Sequence, residues 1–302
     1  MKKIYINREP VTGPWGGGNK FVSLLSEHVI EKGYNVTFDL EKDVDLIFCF
    51  DPRPNNKGVW YQDFLNCKLN FGTKIIQRVG DVGTHSKPEL TTLVKASVQH
   101  SDFIIFPSAW SKNFINYDKN NYQIIENAPH SKFFKDVKNK KSSEKLRVVT
   151  HHWSTNEKKG FDYYEFLGKN IKEKLVENVE FTFIGRFNEK YKKEGINIVQ
   201  PMDMNAIAIE LKNYDLYLTA SLEEAGANHV LEAIASNLPI LYREGGGSIE
   251  EYCSDYGIKY SSMKEMVSII QNFKNIDFPT KVYNRSLTDV IIEYEKIISR
   301  LT

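Results

Sequence analysis

The stretch that decides the fold is Ser221-Leu-Glu-Glu-Ala-Gly-Ala-Asn-His-Val-Leu-Glu-Ala233, led in by Tyr214 to Ala220. The lead-in, YDLYLTA, is β-rich and alternating, which predicts a strand ending in a crevice. A small-residue turn follows, and then an apolar helical run over about 228–236. The start of such a helix offers unpaired backbone N–H groups and a partial positive charge, a favourable place for an anion. Gly226 removes the Cβ that would keep an anion away from the backbone. Glu224 and Glu232 bracket the turn. Carboxylates beside an anion need another task, and accepting hydrogen bonds from vicinal hydroxyls is one that fits.

Working outward, apolar runs alternate with amphipathic stretches through the whole chain, the pattern of parallel sheets covered on both faces. Strands are expected at 2–6, 35–38, 44–50, 74–79, 102–106 and 122–126. A second series follows at 147–151, 180–184, 196–199, 214–220 and 239–243. Gly33 stops a first helix whose apolar face holds Phe21, Leu24, Leu25, His28 and Val29, while Pro88 starts another. Ser248-x-x-Glu251 and Ser262-x-x-Glu265 predict capping boxes, and Ser108 predicts an N-cap. Residues 286–301 carry Leu287, Val290, Ile291, Tyr294, Ile297, Ile298 and Leu301 on one stripe, a helix that must cover a surface.

The chain has 302 residues, 41% hydrophobic and 13% aromatic, which suits two folded α/β domains better than one core. We place these at 1–135 and 147–285, with a Lys-rich linker over 136–146 and a terminal helix over 286–302. The formal net charge of +1 gives no electrostatic case for nucleic acid. Cys49, Cys67 and Cys253 lack metal or disulfide spacing and fit a reducing, cytoplasmic setting. No apolar run approaches the roughly 20 residues of a membrane-spanning helix, so membrane contact, if made, is peripheral. The N-terminus lacks the apolar core of an export signal.

Known motifs narrow the chemistry further. Gly16-Gly17-Gly18 matches neither G-x-G-x-x-G nor the P-loop, and no G-x-S-x-G elbow occurs. Asp43-x-Asp45 precedes its strand, which disfavours a D-x-D metal site, and no metal or cofactor is expected. His151 and His152 are adjacent on a strand and point to opposite faces, so they do not suggest a metal pair.

Glu224 and Glu232, with seven residues between them, resemble the E-x7-E signature of retaining nucleotide-sugar glycosyltransferases of the GT-B fold, family four. The continuation Ala-Ile-Ala-Ser-Asn-Leu-Pro-Ile-Leu-Tyr and Gly245-Gly246-Gly247-Ser-Ile-Glu250 resembles the same family. So do Phe106-Pro-Ser-Ala-Trp-Ser-Lys112 and, at its two ends, the hinge segment Asn127-Ala-Pro-His-Ser-Lys-Phe-Phe134. The resemblance implies two Rossmann-like doubly wound domains facing a cleft, with the last helix crossing back to the N-terminal domain; packing on its own domain is the alternative.

It also implies roles for individual residues. Glu224 would hold sugar hydroxyls, the amides of Ala225, Gly226, Ala227 and Asn228 would bind sugar and diphosphate, and Glu232 would accept the ribose hydroxyls. Lys159, in Thr150-His-His-Trp-Ser-Thr-Asn-Glu-Lys-Lys-Gly160, matches the family lysine that neutralises the leaving diphosphate. The family's strand-end arginine is missing there, where His152 and Trp153 stand, and Arg186 on an adjacent strand end is a substitute. Gly17 and Gly18 resemble the glycine loop that meets the donor. In Arg78-Val-Gly-Asp-Val-Gly-Thr-His85, Asp81 and His85 are candidates to touch the sugar or acceptor. Trp15, Trp60 and Tyr61 are candidates to stack on sugar rings, with burial as the alternative.

The implied activity is metal-independent transfer from a UDP or GDP sugar to the hydroxyl of a carbohydrate or lipid-linked acceptor. A nucleotide-sugar epimerase and a non-catalytic nucleotide-sugar-binding protein remain alternatives on the same architecture. On this reading Lys159 and Glu224 lie outside any core, so replacing either would leave unfolding nearly unchanged.

Overall fold

Runs such as Leu46-Ile-Phe-Cys49 and Phe103-Ile-Ile-Phe106 become parallel strands in which every residue is buried. Such near-continuous apolar runs are what a sheet covered by helices on both faces selects. The structure, a computed structural model, describes residues 1–11, 17–134 and 144–302. The chain divides into two units, one formed by Met1–Asn127 with Leu287–Thr302 and one by Ala128–Ser286. Residues 136–143 of the expected linker lie outside the described residues, as do Trp15 and Gly16.

The first unit runs β1 (Lys3–Ile6), α1 (Gly17–Glu31), β2 (Asn35–Thr37), β3 (Leu46–Cys49), α2 (Tyr61–Phe71), β4 (Lys74–Arg78), α3 (Pro88–Ser97), β5 (Phe103–Phe106), α4 (Ala109–Ile115) and β6 (Tyr122–Ile124). Its sheet has the order β2-β1-β3-β4-β5-β6, parallel throughout. Ser108 caps α4, its hydroxyl accepting from the Ser111 amide at 3.0 Å. Pro88 opens α3, where its missing N–H costs nothing.

The second unit runs β7 (Leu146–His152), α5 (Phe161–Lys172), β8 (Val179–Gly185), β9 (Ile196–Val199), α6 (Met204–Glu210), β10 (Leu216–Thr219), α7 (Asn228–Ala235), β11 (Ile240–Arg243), α8 (Ser248–Cys253), β12 (Gly257–Tyr260) and α9 (Met263–Gln271). Its order is β12-β11-β10-β7-β8-β9, again parallel. The alternation expected for β10 is absent, since Leu216 to Thr219 are all buried. The sheet has no solvent face there: Tyr217 packs toward α7 while Leu216 and Leu218 pack in the cluster of Phe161 and Tyr164 from α5.

The terminal helix α10 (Leu287–Leu301) belongs to the first unit and packs on α1. Val290, Ile291, Tyr294, Ile297 and Ile298 are buried, and Tyr294 meets Phe21 edge-on at 4.8 Å between centroids. Replacing Tyr294 by alanine removes a ring from this seam and is expected to destabilise the first unit by about 3–5 kcal/mol, the usual range for an aromatic truncated in a core. A urea titration of the first unit, followed by near-ultraviolet circular dichroism, checks this.

Two expectations about local chemistry change. Ser248 does not cap α8; Gly247, at φ +70°, holds that position and Ser248 is the first helical residue. Ser262 does cap α9, accepting from the Glu265 amide at 3.2 Å, but the Glu265 carboxylate turns to the amide and hydroxyl of Ser261.

Candidate active site

In a doubly wound sheet the strand order reverses at one place, and the loops leaving the strands on either side diverge to form a crevice. In the second unit this place lies between β7 and β10, paired through Val148 with Leu216 and Val149 with Tyr217. The loop after β7 carries Lys158 and Lys159, and the loop after β10 carries Glu223 and Glu224. The Lys159 ammonium donates to Glu224 Oε1, and both side chains are only 13% exposed. Lys158 pairs with Glu223 beside them, and the Leu222 amide donates to the Lys158 carbonyl at 2.8 Å. Two consecutive lysines therefore meet two consecutive glutamates across the switch point.

Each loop is locked from beneath. Gly160 takes φ +80° directly after Lys159, and a Cβ there would lie 2.4 Å from the Cβ and carbonyl oxygen of Ala220. Glu224 is bridged to Gly247: its amide donates to the Gly246 carbonyl at 3.1 Å and its carbonyl accepts from Ser248 at 2.8 Å. Glu250 closes the glycine turn by accepting from the Gly245 amide at 2.8 Å. The tract from Glu224 to Glu250 is thus two loops laced together, and the glycines are the lacing.

Glu232 sits one turn into α7 and takes a hydrogen bond between its Oε2 and His151 Nε2 at 2.8 Å. The Tyr217 hydroxyl lies 3.0 Å from His151 Nδ1 and accepts from the His151 backbone amide at 3.2 Å. A hydroxyl that donates to Nδ1 leaves Nε2 carrying the proton toward Glu232, which orients that carboxylate. His152 points the other way, into the core, with Nε2 2.8 Å from the Tyr164 hydroxyl. Burial pushes Tyr164 up to about 12. The opposed directions of His151 and His152 agree with their adjacency on one strand.

The turn before α7 has no side-chain cap. Of its amides, that of Ala227 is taken up by the buried Ser248 hydroxyl at 3.0 Å, which removes it as a ligand donor. Ala225 and Ala227 are buried, whereas Gly226 and Asn228 are half-buried. Arg186 follows β8 and is exposed; its amide donates to the His152 carbonyl at 3.2 Å and its guanidinium lies over the Trp153 indole at 4.3 Å. Trp153 and Arg186 together occupy the end of β7.

Glu224, Lys159, Glu232 and Arg186 thus all leave the C-terminal ends of neighbouring strands or the helix after one. The placement of Lys159 and Glu224 differs from the sequence expectation, because each is largely covered and serves as the other's counter-ion. His151, Tyr217 and Ser248 were missed. The signal for His151 was its position at the end of the strand next to the switch.

In the first unit, Gly17 and Gly18 form the first turn of α1. His85 lies in a turn after β4, half-buried, and Asp81 closes that turn by accepting from the Lys87 ammonium and the Gly83 amide at 2.7 and 2.9 Å. Burial acts to raise the Asp81 carboxyl, but Lys87 and Gly83 outweigh it and hold it below the usual range. Tyr61 is only 4% exposed and donates to the Ser97 carbonyl, so it offers no face to a ligand. Trp60 is 36% exposed.

No family model matches the chain. One curated relative, protein CapJ of Staphylococcus aureus, is 25% identical over 128 residues, covering 37% of this chain and 33% of CapJ. The chain thus matches about a third of the length of that relative. Solved structures match almost end to end. Sucrose-phosphate synthase from Thermosynechococcus elongatus superposes with a TM-score of 0.71 at 11% identity, over 100% of this chain and 99% of that one. Anabaena HepE, in complex with UDP and glucose, gives 0.68 at 14% identity over 99% of each chain. WaaG, a glycosyltransferase of lipopolysaccharide biosynthesis, gives 0.62 at 15%, over 99% of this chain and 95% of WaaG. Two six-stranded parallel sheets with these strand orders, and full-length superposition on such structures, establish that this chain has the GT-B fold.

Proposed function

We propose that the protein is a retaining glycosyltransferase that moves a sugar from a nucleotide-diphosphate donor to an acceptor hydroxyl without a metal ion. The observation that carries this reading is the Lys159–Glu224 pair at the switch point of the second unit, with Glu232 one turn into the adjoining helix. A sugar bound there exchanges the ion pair for ligand contacts: hydroxyls donate to Glu224, and the released ammonium turns to the diphosphate. Glu232, oriented by His151, accepts from the ribose. Arg186, fixed on Trp153, stands in for the family's strand-end arginine.

In the transfer, the bond from the anomeric carbon to the β-phosphate oxygen breaks as the acceptor oxygen bonds on the same face. The acceptor proton passes to the departing phosphate. Negative charge grows on the diphosphate, and Lys159 and the amides at the start of α7 lower the barrier by meeting it there. No side-chain nucleophile is needed. HepE binds UDP and glucose on this fold, which makes uridine the first base to test here.

The test is a thermal-shift panel of UDP, GDP and ADP and their common sugars, without added metal. A ligand at roughly a hundredfold over its Kd stabilises the native state by about 2.7 kcal/mol. One base is expected to raise the midpoint clearly, with the shift lost in Glu232→Ala. If no nucleotide raises it, and no acceptor provokes release of free nucleoside diphosphate, the reading is wrong.

A further inference from the structure

The first unit has its own switch point, between β1 and β3 in the order β2-β1-β3-β4-β5-β6. A groove of about 1040 Å³ opens there, lined by residues just after β1 and just after β3, with Leu90 and Leu93 of α3 on its apolar side. That volume suits a ligand of one to a few sugar rings. Its walls are built rather than loose. Asn7 accepts from the Phe50 amide at 2.6 Å, and Asn19 exchanges hydrogen bonds with the Val11 backbone at 2.8 and 2.7 Å.

The charged residues that line it are Arg8, Arg53 and Lys57 together with Glu9, Asp51 and Glu89. Arg53 grips Asp51 through two hydrogen bonds, at 3.0 and 2.6 Å, and Lys57 pairs with Asp39. Among the described residues, two guanidinium groups here have no such ion pair: Arg8, in the groove, and Arg78, at the end of β4. Both lie against one ring, Phe50, at 5.2 and 5.0 Å, and Arg78 also lies 5.0 Å from Phe21. Arg78 is 7% exposed; among the described residues it donates one hydrogen bond, to Asn127 Oδ1 at 2.9 Å, and its buried Nε–H has no partner.

Arg78 lines a small niche that shares Asp51 and Leu90 with the groove. The backbone is shaped to hold the two cations there. A Cβ at Gly80 would lie 2.1 Å from Arg78 Nη1, and one at Gly18 would lie 3.1 Å from Arg8 Nη1. A guanidinium stays charged in a protein, and leaving one buried with no anion is costly unless a ligand completes it.

We propose that Arg8 and Arg78 form an anion subsite in this groove, so that the acceptor carries a carboxylate or phosphate group. This rests on the transferase reading above only for the word acceptor; the subsite itself rests on the first unit alone. Planar guanidinium groups match the paired oxygens of either anion. Packing on the same Phe50 ring keeps them oriented, and the apolar side toward α3 faces the ring carbons of a sugar.

The test follows arginine Nε resonances in proton–nitrogen correlation spectra of the full chain during titration. The probes are methyl β-glucuronide, glycerol 1-phosphate and, as the neutral control, methyl β-glucoside. The Arg78 Nε–H signal is expected to move saturably with one or both anions, and to require at least about tenfold more of the glucoside, the discrimination one charge-assisted hydrogen bond supplies. Which anion binds more tightly identifies a uronate or a phosphate. Arg8→Gln, at an exposed position that leaves the core intact, is expected to lose that discrimination; Arg78→Lys is the second variant and should weaken it.

Equal binding of all three probes, or full discrimination surviving in Arg8→Gln, overturns the proposal. The nucleotide panel separates the two readings. A nucleotide shift without anion discrimination removes the subsite alone, whereas anion discrimination without a nucleotide shift removes the transferase and leaves the subsite standing.

Discussion

Replacing Lys159 by alanine is expected to lower transfer by about 10²–10³-fold, the effect of removing one preorganised group that meets developing charge. It is also expected to lower stability, which the chain read as sequence did not suggest. Lys159 and Glu224 are each 13% exposed. Taking away one member removes the other's counter-ion in a mostly dry place, a loss of roughly 3–5 kcal/mol when a buried pair is broken. Glu224→Ala should do the same from the other side. The double variant Lys159→Ala/Glu224→Ala removes both charges together, so its unfolding midpoint should recover above either single variant while activity stays lost. Measuring the cycle by urea unfolding and by donor turnover separates the two roles. Turnover within tenfold of the parent in the double variant would sink the assignment of this pair.

Gly160→Ala is expected to be nearly as damaging without touching any charge. The position sits at φ +80°, and its new methyl would press 2.4 Å from Ala220. The left-handed conformation costs alanine about 1 kcal/mol more than glycine. The overpacking adds about 1–3 kcal/mol. The strain also has a direction, since it pushes the loop after β7 away from the end of β10, parting Lys159 from Glu224. We expect a fall in unfolding midpoint together with at least tenfold lower turnover, about one lost interaction's worth. Unchanged stability would show that the loop relaxes, and the close packing would then not be what places Lys159.

Much of this arrangement was legible in the residues, and what was not has a common cause. The glycine tract and the spacing of Glu224 and Glu232 could be read because helix starts and close backbone approaches demand particular residue types locally. The stripe of α10 could be read from its period, whereas the surface under it came only from the resemblance, which implied a return to the N-terminal domain, because Phe21 lies far away in sequence. S-x-x-E is a local pattern and predicts a cap at Ser248, whereas the Ser248 hydroxyl serves the Ala227 amide 21 positions away. His151 reaches Glu232 across 81 positions. The alternation expected in β10 failed because helices cover both faces of its sheet. Tyr61 faces inward for a similar reason: Ser97 and Ser101 wait there for its hydroxyl. Local grammar carries caps, turns and periods; partners chosen by the tertiary fold leave little trace in it.

The return of α10 to α1 has a consequence for how the molecule is made. The second unit is one unbroken stretch, Ala128–Ser286, but the first is assembled from two pieces that flank it. During synthesis the second unit can close as soon as it emerges, as domains do when their whole sequence is available. The first unit cannot. Until Leu287–Thr302 leaves the ribosome, the side of α1 that meets Tyr294 lacks that helix, and the earlier-made half must wait for the later one.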